Sequence, residues 1–258
     1  MRINTMKNEG YVDSERAKKD KYYRKATLRG TMGAKEKDIL RGGFSMKVID
    51  LTQLISETMP VYPGTEPPSL AVANTYEKDG FRETLISFYS HTGTHMDAPF
   101  HLFGDRTSLD SLPAEQVVGK ALVIDCTDVG EGGTIGMEYI DKTLADQAEF
   151  LLFHTGWDVN WGKDAYFGEY PVVSMEVCQY LLDSKKKGVG FDVIGIDPIA
   201  DVKLTRHRML LSQRDMVIIE NLTNLGQVGN GLFTFAALPL KYENADGAPI
   251  RAVAMVEE

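Results

Sequence analysis

The eleven residues His91-Thr92-Gly93-Thr94-His95-Met96-Asp97-Ala98-Pro99-Phe100-His101 hold three of the five histidines of a 258-residue chain. A hydrolytic metal site needs a few neutral imidazoles and carboxylates converging on one ion, with a position left for water. His91, His95 and Asp97 supply such a set. Gly93 lets the backbone turn between the two histidines, Thr94 can hydrogen-bond nearby backbone, and Pro99 stiffens the exit that carries His101. His101 reads as a proton-transfer group rather than a fourth ligand, because an ordinary imidazole titrates near neutrality. Two plainer readings compete, an exposed polar loop and a helix-capping cluster. Neither gives three histidines and an aspartate in so short a stretch a packing use.

Outward from this segment, strand-like apolar runs alternate with Gly/Pro turns, at residues 47–51, 85–89, 121–125, 150–154, 193–196 and 216–219. Their length and apolar character predict half-buried or buried strands. Helical periodicity is sparser. It predicts helices over residues 138–145 and 174–187, the second with Ser174 as N-cap, Val177, Leu181 and Leu182 on its apolar face, and a lysine-rich end before Gly188. The fold class expected is mixed α/β, a strand-rich single domain over residues 46–258.

Residues 1–45 carry 12 Lys and Arg against 6 Asp and Glu, with few large apolar groups. Such a stretch buries too little to offset its ordering entropy, which predicts a disordered or non-native extension, with a basic partner-binding arm as the rival. The other 213 residues carry 16 basic and 31 acidic side chains, a balance that argues against nucleic acid as a partner. No apolar run approaches the roughly 20 residues of a membrane span, and the first residues do not read as a signal peptide. Cys126 and Cys178 lie far apart without a CxxC spacing, which fits a reducing compartment and gives no thiolate metal site. The cytoplasm is the expected location. His154, at the end of an apolar run, reads as a structural histidine. Phe100, Phe103 and Trp157 read as core or pocket wall.

The segment from His91 to His101 resembles the signature HxGTHxDxPxH of the metal-dependent cyclase-like hydrolases, the family of bacterial kynurenine formamidase and isatin hydrolase. It matches at His91, Gly93, Thr94, His95, Asp97, Pro99 and His101. The similarity extends from residues 48–52 and 59–64, through 155–158 and 195–197, to 248–252. The resemblance implies the family's swivelling β/β/α architecture, and a site for one or two divalent ions. His91, His95 and Asp97 would hold the first ion. Asp97 would bridge to a second, completed by His207 and Glu220. It also implies an aromatic wall from the early Pro-Gly turn, where this chain carries Tyr62 in place of the tryptophan frequent in the formamidases.

The implied function is metal-dependent hydrolysis of a small amide, with N-formylkynurenine as the leading substrate. Rivals are opening of a cyclic amide, lactam or lactone, a dehydrating cyclase, and a non-catalytic protein that binds small molecules through its metal. Imidazole suits zinc and a carboxylate-rich site also suits manganese, with zinc slightly preferred. Family members are commonly homo-oligomers, so a dimer or tetramer is expected.

Overall fold

The computed structural model describes residues 45–212 and 215–257, so the expectation for residues 1–45 falls, but for Ser45, outside the described residues. Twelve strands are described: β1 (Met46–Asp50), β2 (Ser69–Asn74), β3 (Glu83–Ser87), β4 (His95–Asp97), β5 (Val118–Asp125), β6 (Thr134–Ile135), β7 (Phe150–His154), β8 (Val172–Val173), β9 (Gly188–Phe191), β10 (Val217–Glu220), β11 (Phe233–Pro239) and β12 (Gly247–Glu257). Among the described residues helix is confined to single turns at α1 (Tyr76–Asp79) and α2 (Lys142–Ala145), the longer α3 (Met175–Asp183) and α4 (Thr205–Leu211), and short 3-10 segments. The domain is mixed α/β, strand-rich and poor in helix, as the sequence predicts.

Eight strands form one sheet in the order β1-β12-β11-β5-β7-β9-β10-β4. The ladder also returns on itself, because β4 pairs with β10 on one side and with Gly247–Pro249 of β12 on the other. The pairs β5–β7, β7–β9 and β9–β10 are parallel, and the others in this sheet are antiparallel. Successive side chains of a strand point to opposite faces. Phe150 and Leu152 of β7 therefore join one apolar cluster with Val217 and Ile219 of β10 and Met96 of β4. Leu151, Phe153 and Ile218 join the other, packed against Val177, Leu181 and Leu182 of α3 and Leu210 and Leu211 of α4. Burial on both faces is why these strands read as continuous apolar runs.

The run at residues 193–196 is not a strand. The strand is Gly188–Phe191, and residues 193–196 form the buried loop that leaves it. Gly188 and Gly190 are required by close approach: a Cβ on Gly190 would stand 2.7 Å from the side chains of both Leu152 and Leu222. The helix expected over 138–145 is interrupted at Ile140, because the Asp141 carboxylate accepts the Thr143 N–H (2.9 Å) and starts a separate turn. Ser174 caps α3 as predicted, its Oγ accepting the Val177 N–H at 3.1 Å. That helix ends at Asp183, since Lys185 turns left-handed (φ 56°) and buried Lys186 donates to the Ala145 and Ala148 carbonyls. The run at 85–89 overlaps β3, which among the described residues pairs only with β2 and is exposed along its length rather than half-buried.

Candidate metal centre

Strand pairing does most of the assembly. In the short buried strand β4, His95 and Asp97 share one face while Met96 points into the core behind. Register places Glu220 of β10 opposite His95, and Gly247 of β12 opposite Asp97. Gly93 turns the chain ahead of β4 in a left-handed conformation (φ 63°). Its carbonyl accepts hydrogen bonds from His95 Nδ1 (2.9 Å) and Asn221 Nδ2 (2.8 Å). Thr94 Oγ1 donates to the Asn221 carbonyl (2.6 Å) and accepts the Gln53 N–H (2.8 Å), so the loop is tied at several points. After β4, Pro99 opens a 3-10 turn that ends on His101.

The carboxylate of Asp97 is buried at the centre. Its Oδ1 lies 2.6 Å from His91 Nδ1 and 3.4 Å from His95 Nε2, and its Oδ2 lies 3.3 Å from His207 Nε2. Glu220 faces the same space, with Oε2 3.4 Å from His95 Nε2 and Oε1 3.1 Å from His207 Nε2. The sequence-expected donors thus fall into two groups sharing Asp97: His91, His95 and Asp97, and Asp97, His207 and Glu220. The His101 ring stands 4.0 Å from that of His91, centroid to centroid, and 6.4 Å from that of His207.

The donor chemistry fits a divalent cation. His95 gives its Nδ1 proton to a carbonyl, which can only accept, so in the neutral ring Nε2 presents a lone pair towards two carboxylates. His207 is arranged alike, with Nδ1 donating to Asp197 Oδ2 at 2.8 Å and Nε2 facing Asp97 and Glu220. Lone pairs and anionic oxygens brought together in a buried space call for positive charge. In the protein alone that charge is carried by protons: burial opposes a charged His91, yet Asp97 and Asp246 outweigh it and raise the imidazole to about 10. Burial likewise opposes a charged His207, but Asp197, Asp97 and Glu220 raise it well above the usual range. His101 moves the other way: burial pushes it down most, opposed by the pull of Asp97 and Glu220 and aided by repulsion from His91 and His207, which favours the neutral ring.

Three residues emerge only here. Asp197 orients His207 and also accepts the backbone N–H groups of Arg206 (2.8 Å) and His207 (3.0 Å). Asp246 lies 3.1 Å from His91 Nε2 and 3.9 Å from His101 Nδ1. Asn221, left-handed at the end of β10, holds Gly93 and accepts the Tyr166 hydroxyl (2.6 Å). In sequence Asn221 and Asp246 look like turn residues beside apolar runs, while Asp197 falls within the stretch 195–197 that carries the family similarity. The cavity over the donors measures about 520 Å³, and Tyr62 lines it, 41% exposed. Phe100, Phe103 and Trp157 pack against the apolar clusters and do not line it. His154 also stays outside, grouped with Asp158 and with Asp192, whose carboxylate is taken up by the N–H groups of Thr155 and Gly156.

Known proteins are similar to this chain over most of its length. The sequence model of the family described as putative cyclase matches residues 49–198. A kynurenine formamidase of Bacillus cereus is 31% identical over 207 residues, covering 80% of this chain and 95% of that protein. A solved structure described as a potential metal-dependent hydrolase with cyclase activity is 32% identical with a TM-score of 0.68, covering 83% of this chain and all of that one. Isatin hydrolase A from Ralstonia solanacearum is 25% identical with a TM-score of 0.73, covering 90% of this chain and 99% of that one. The chain belongs to the cyclase family.

Proposed function

We propose that this cavity hydrolyses a small aryl amide, with N-formylkynurenine as the first substrate to assay. The protein is a metal-dependent amide hydrolase of arylformamidase type, acting on carbon–nitrogen bonds other than peptide bonds. The observation that carries the reading is the pair of donor groups sharing Asp97, with a neutral imidazole, His101, beside them. His91, His95 and Asp97 would hold one divalent ion, and Asp97, His207 and Glu220 a second, zinc being slightly preferred to manganese for the imidazole share. Bound there, the cation supplies a water made acidic enough to attack near neutrality and a polarised carbonyl. His101 takes the proton from the attacking water and returns it to the departing nitrogen, a role worth about 10² to 10⁴ in rate. Asp197 keeps His207 in the tautomer whose Nε2 faces the donors. Tyr62 offers an aromatic wall to the substrate ring.

Opening of a cyclic amide is the second reading, supported by the likeness to isatin hydrolase A. In either case residues 46–258 form the catalytic domain, and residues 1–45 an extension to it. Two buried free thiols suit a cytoplasmic setting, and among the described residues no helix is long and apolar enough to cross a membrane. A homo-oligomer, dimer or tetramer, is supported by the β2–β3 hairpin, which exposes Val72, Leu85 and Ile86. The test is hydrolysis of N-formylkynurenine by metal-stripped protein, with and without zinc or manganese, with His91→Ala as control. Metal-restored turnover lost in the variant supports the reading. Metal binding without turnover of this compound or of a cyclic amide overturns it.

A further inference from the structure

The cavity wall away from the donors is apolar and aromatic, formed by Pro60, Val61, Tyr62, Tyr89, Val202 and Leu204. Among the described residues no lysine or arginine lines it. Four carboxylates do. Asp97 and Glu220 sit within the donor groups, and Asp197 is engaged by His207 and the Arg206 guanidinium (3.4 Å). The fourth, Asp246, stands with its side chain 39% exposed, accepting hydrogen bonds from the Tyr242 hydroxyl (3.0 Å) and Ser90 Oγ (3.1 Å). His91 Nε2, 3.1 Å away, fixes the same carboxylate from inside.

We propose that this cavity selects neutral aryl or cyclic amides over those that carry a carboxylate next to the ring, with Asp246 as the specificity-determining residue. This deepens the amide-hydrolase reading and rests on it. A carboxylate brought into such a space gives up water and needs a cation or several N–H donors in return. The apolar wall offers neither, and Asp246 repels it. In a productive complex the scissile carbonyl takes the place at the donor groups, so a carboxylate on the ring faces the apolar wall instead. Hydrolysis adds water across the C–N bond and leaves an amine and a carboxylate.

The test compares two compounds of closely similar shape, one neutral and one anionic, 2-formamidobenzamide and 2-formamidobenzoate, on the metal-loaded full-length protein. The expected kcat/KM is at least about tenfold higher for the neutral amide, as one close, partly screened like charge would give. Val202, whose residue is 90% exposed at the rim, provides the converse. In Val202→Lys the ratio of neutral to anionic kcat/KM should fall by about two- to fivefold, the effect of an exposed ion pair. Equal turnover of the two compounds, or a preference for the anion, overturns the selectivity and leaves the hydrolase reading standing. No turnover of either compound, of N-formylkynurenine or of a cyclic amide overturns both together.

Discussion

Replacing Asp197 with Asn keeps the size of the side chain and removes its charge. Asp197 Oδ2 accepts from His207 Nδ1 at 2.8 Å and from the His207 backbone N–H at 3.0 Å, while Oδ1 accepts the Arg206 N–H at 2.8 Å. An amide has one acceptor oxygen and one NH2 group, so at least one side must present a donor to a donor. If the NH2 group faces His207, the ring loses the partner that fixes its tautomer. If it faces Arg206, the start of α4 is loosened, and with it the backbone that carries His207. Loss of a carboxylate behind a metal-binding imidazole typically costs 10- to 100-fold in metal affinity. A value of about 30-fold corresponds to roughly 2 kcal/mol. With metal in excess, the stabilisation it confers should shrink by that amount. In a domain of this size the rise in Tm on adding zinc should then be smaller by about 4 to 8 °C. Chelator competition gives the affinity, and melts with and without zinc give the linkage. A folded Asp197→Asn protein that binds zinc as tightly as the parent would refute the placing of His207 among the ligands.

His101→Asn should retain its metal while turnover falls about 10² to 10⁴-fold, and loss of metal along with activity would make His101 a ligand instead. Gly247 passes behind His91 so closely that a Cβ there would stand 2.7 Å from His91 Nε2. Gly247→Ala should therefore displace that ring and weaken metal binding with the fold intact, measured by metal titration beside circular dichroism. Metal-free protein should lose stability as pH rises. His91 is raised from its ordinary 6.5 to about 10, so its contribution is fully present below about pH 6.5 and lost as pH climbs through about 10, with His207 adding in the same direction. Zinc should reverse the trend between pH 7 and 9, because ligand nitrogens must be unprotonated to bind it. Calorimetry across that range checks this, and a flat metal-free profile would count against the imidazolium assignment.

Much of the site was legible because its donors are clustered in the chain. Three histidines and an aspartate within eleven residues have a chemical reason to be together, and the period of two along a strand then puts His95 and Asp97 on one face whatever surrounds them. The apolar runs at β5, β7 and β10 were legible for a related reason, since strands buried on both faces carry no polar interruption. The misreadings share a cause. Residues 193–196 are apolar because they are buried, yet their backbone bonds go to a neighbouring loop and to Glu220. Gly188 and Gly190 are strand residues, because Val217 and Phe150 need the space at the first and Leu152 and Leu222 at the second.

The sequence by itself determined a strand-rich α/β domain and a donor cluster suited to a divalent cation with a third imidazole beside it, since these depend on residue type and short-range spacing. Only the tertiary structure decided that Asp197 orients His207, that Asp246 stands at the rim against His91, and that no lysine or arginine among the described residues lines the cavity wall. Asp246 lies 155 residues from His91, and the two meet because β4 pairs with the first residues of β12. No local pattern records a contact made by closing a sheet on itself.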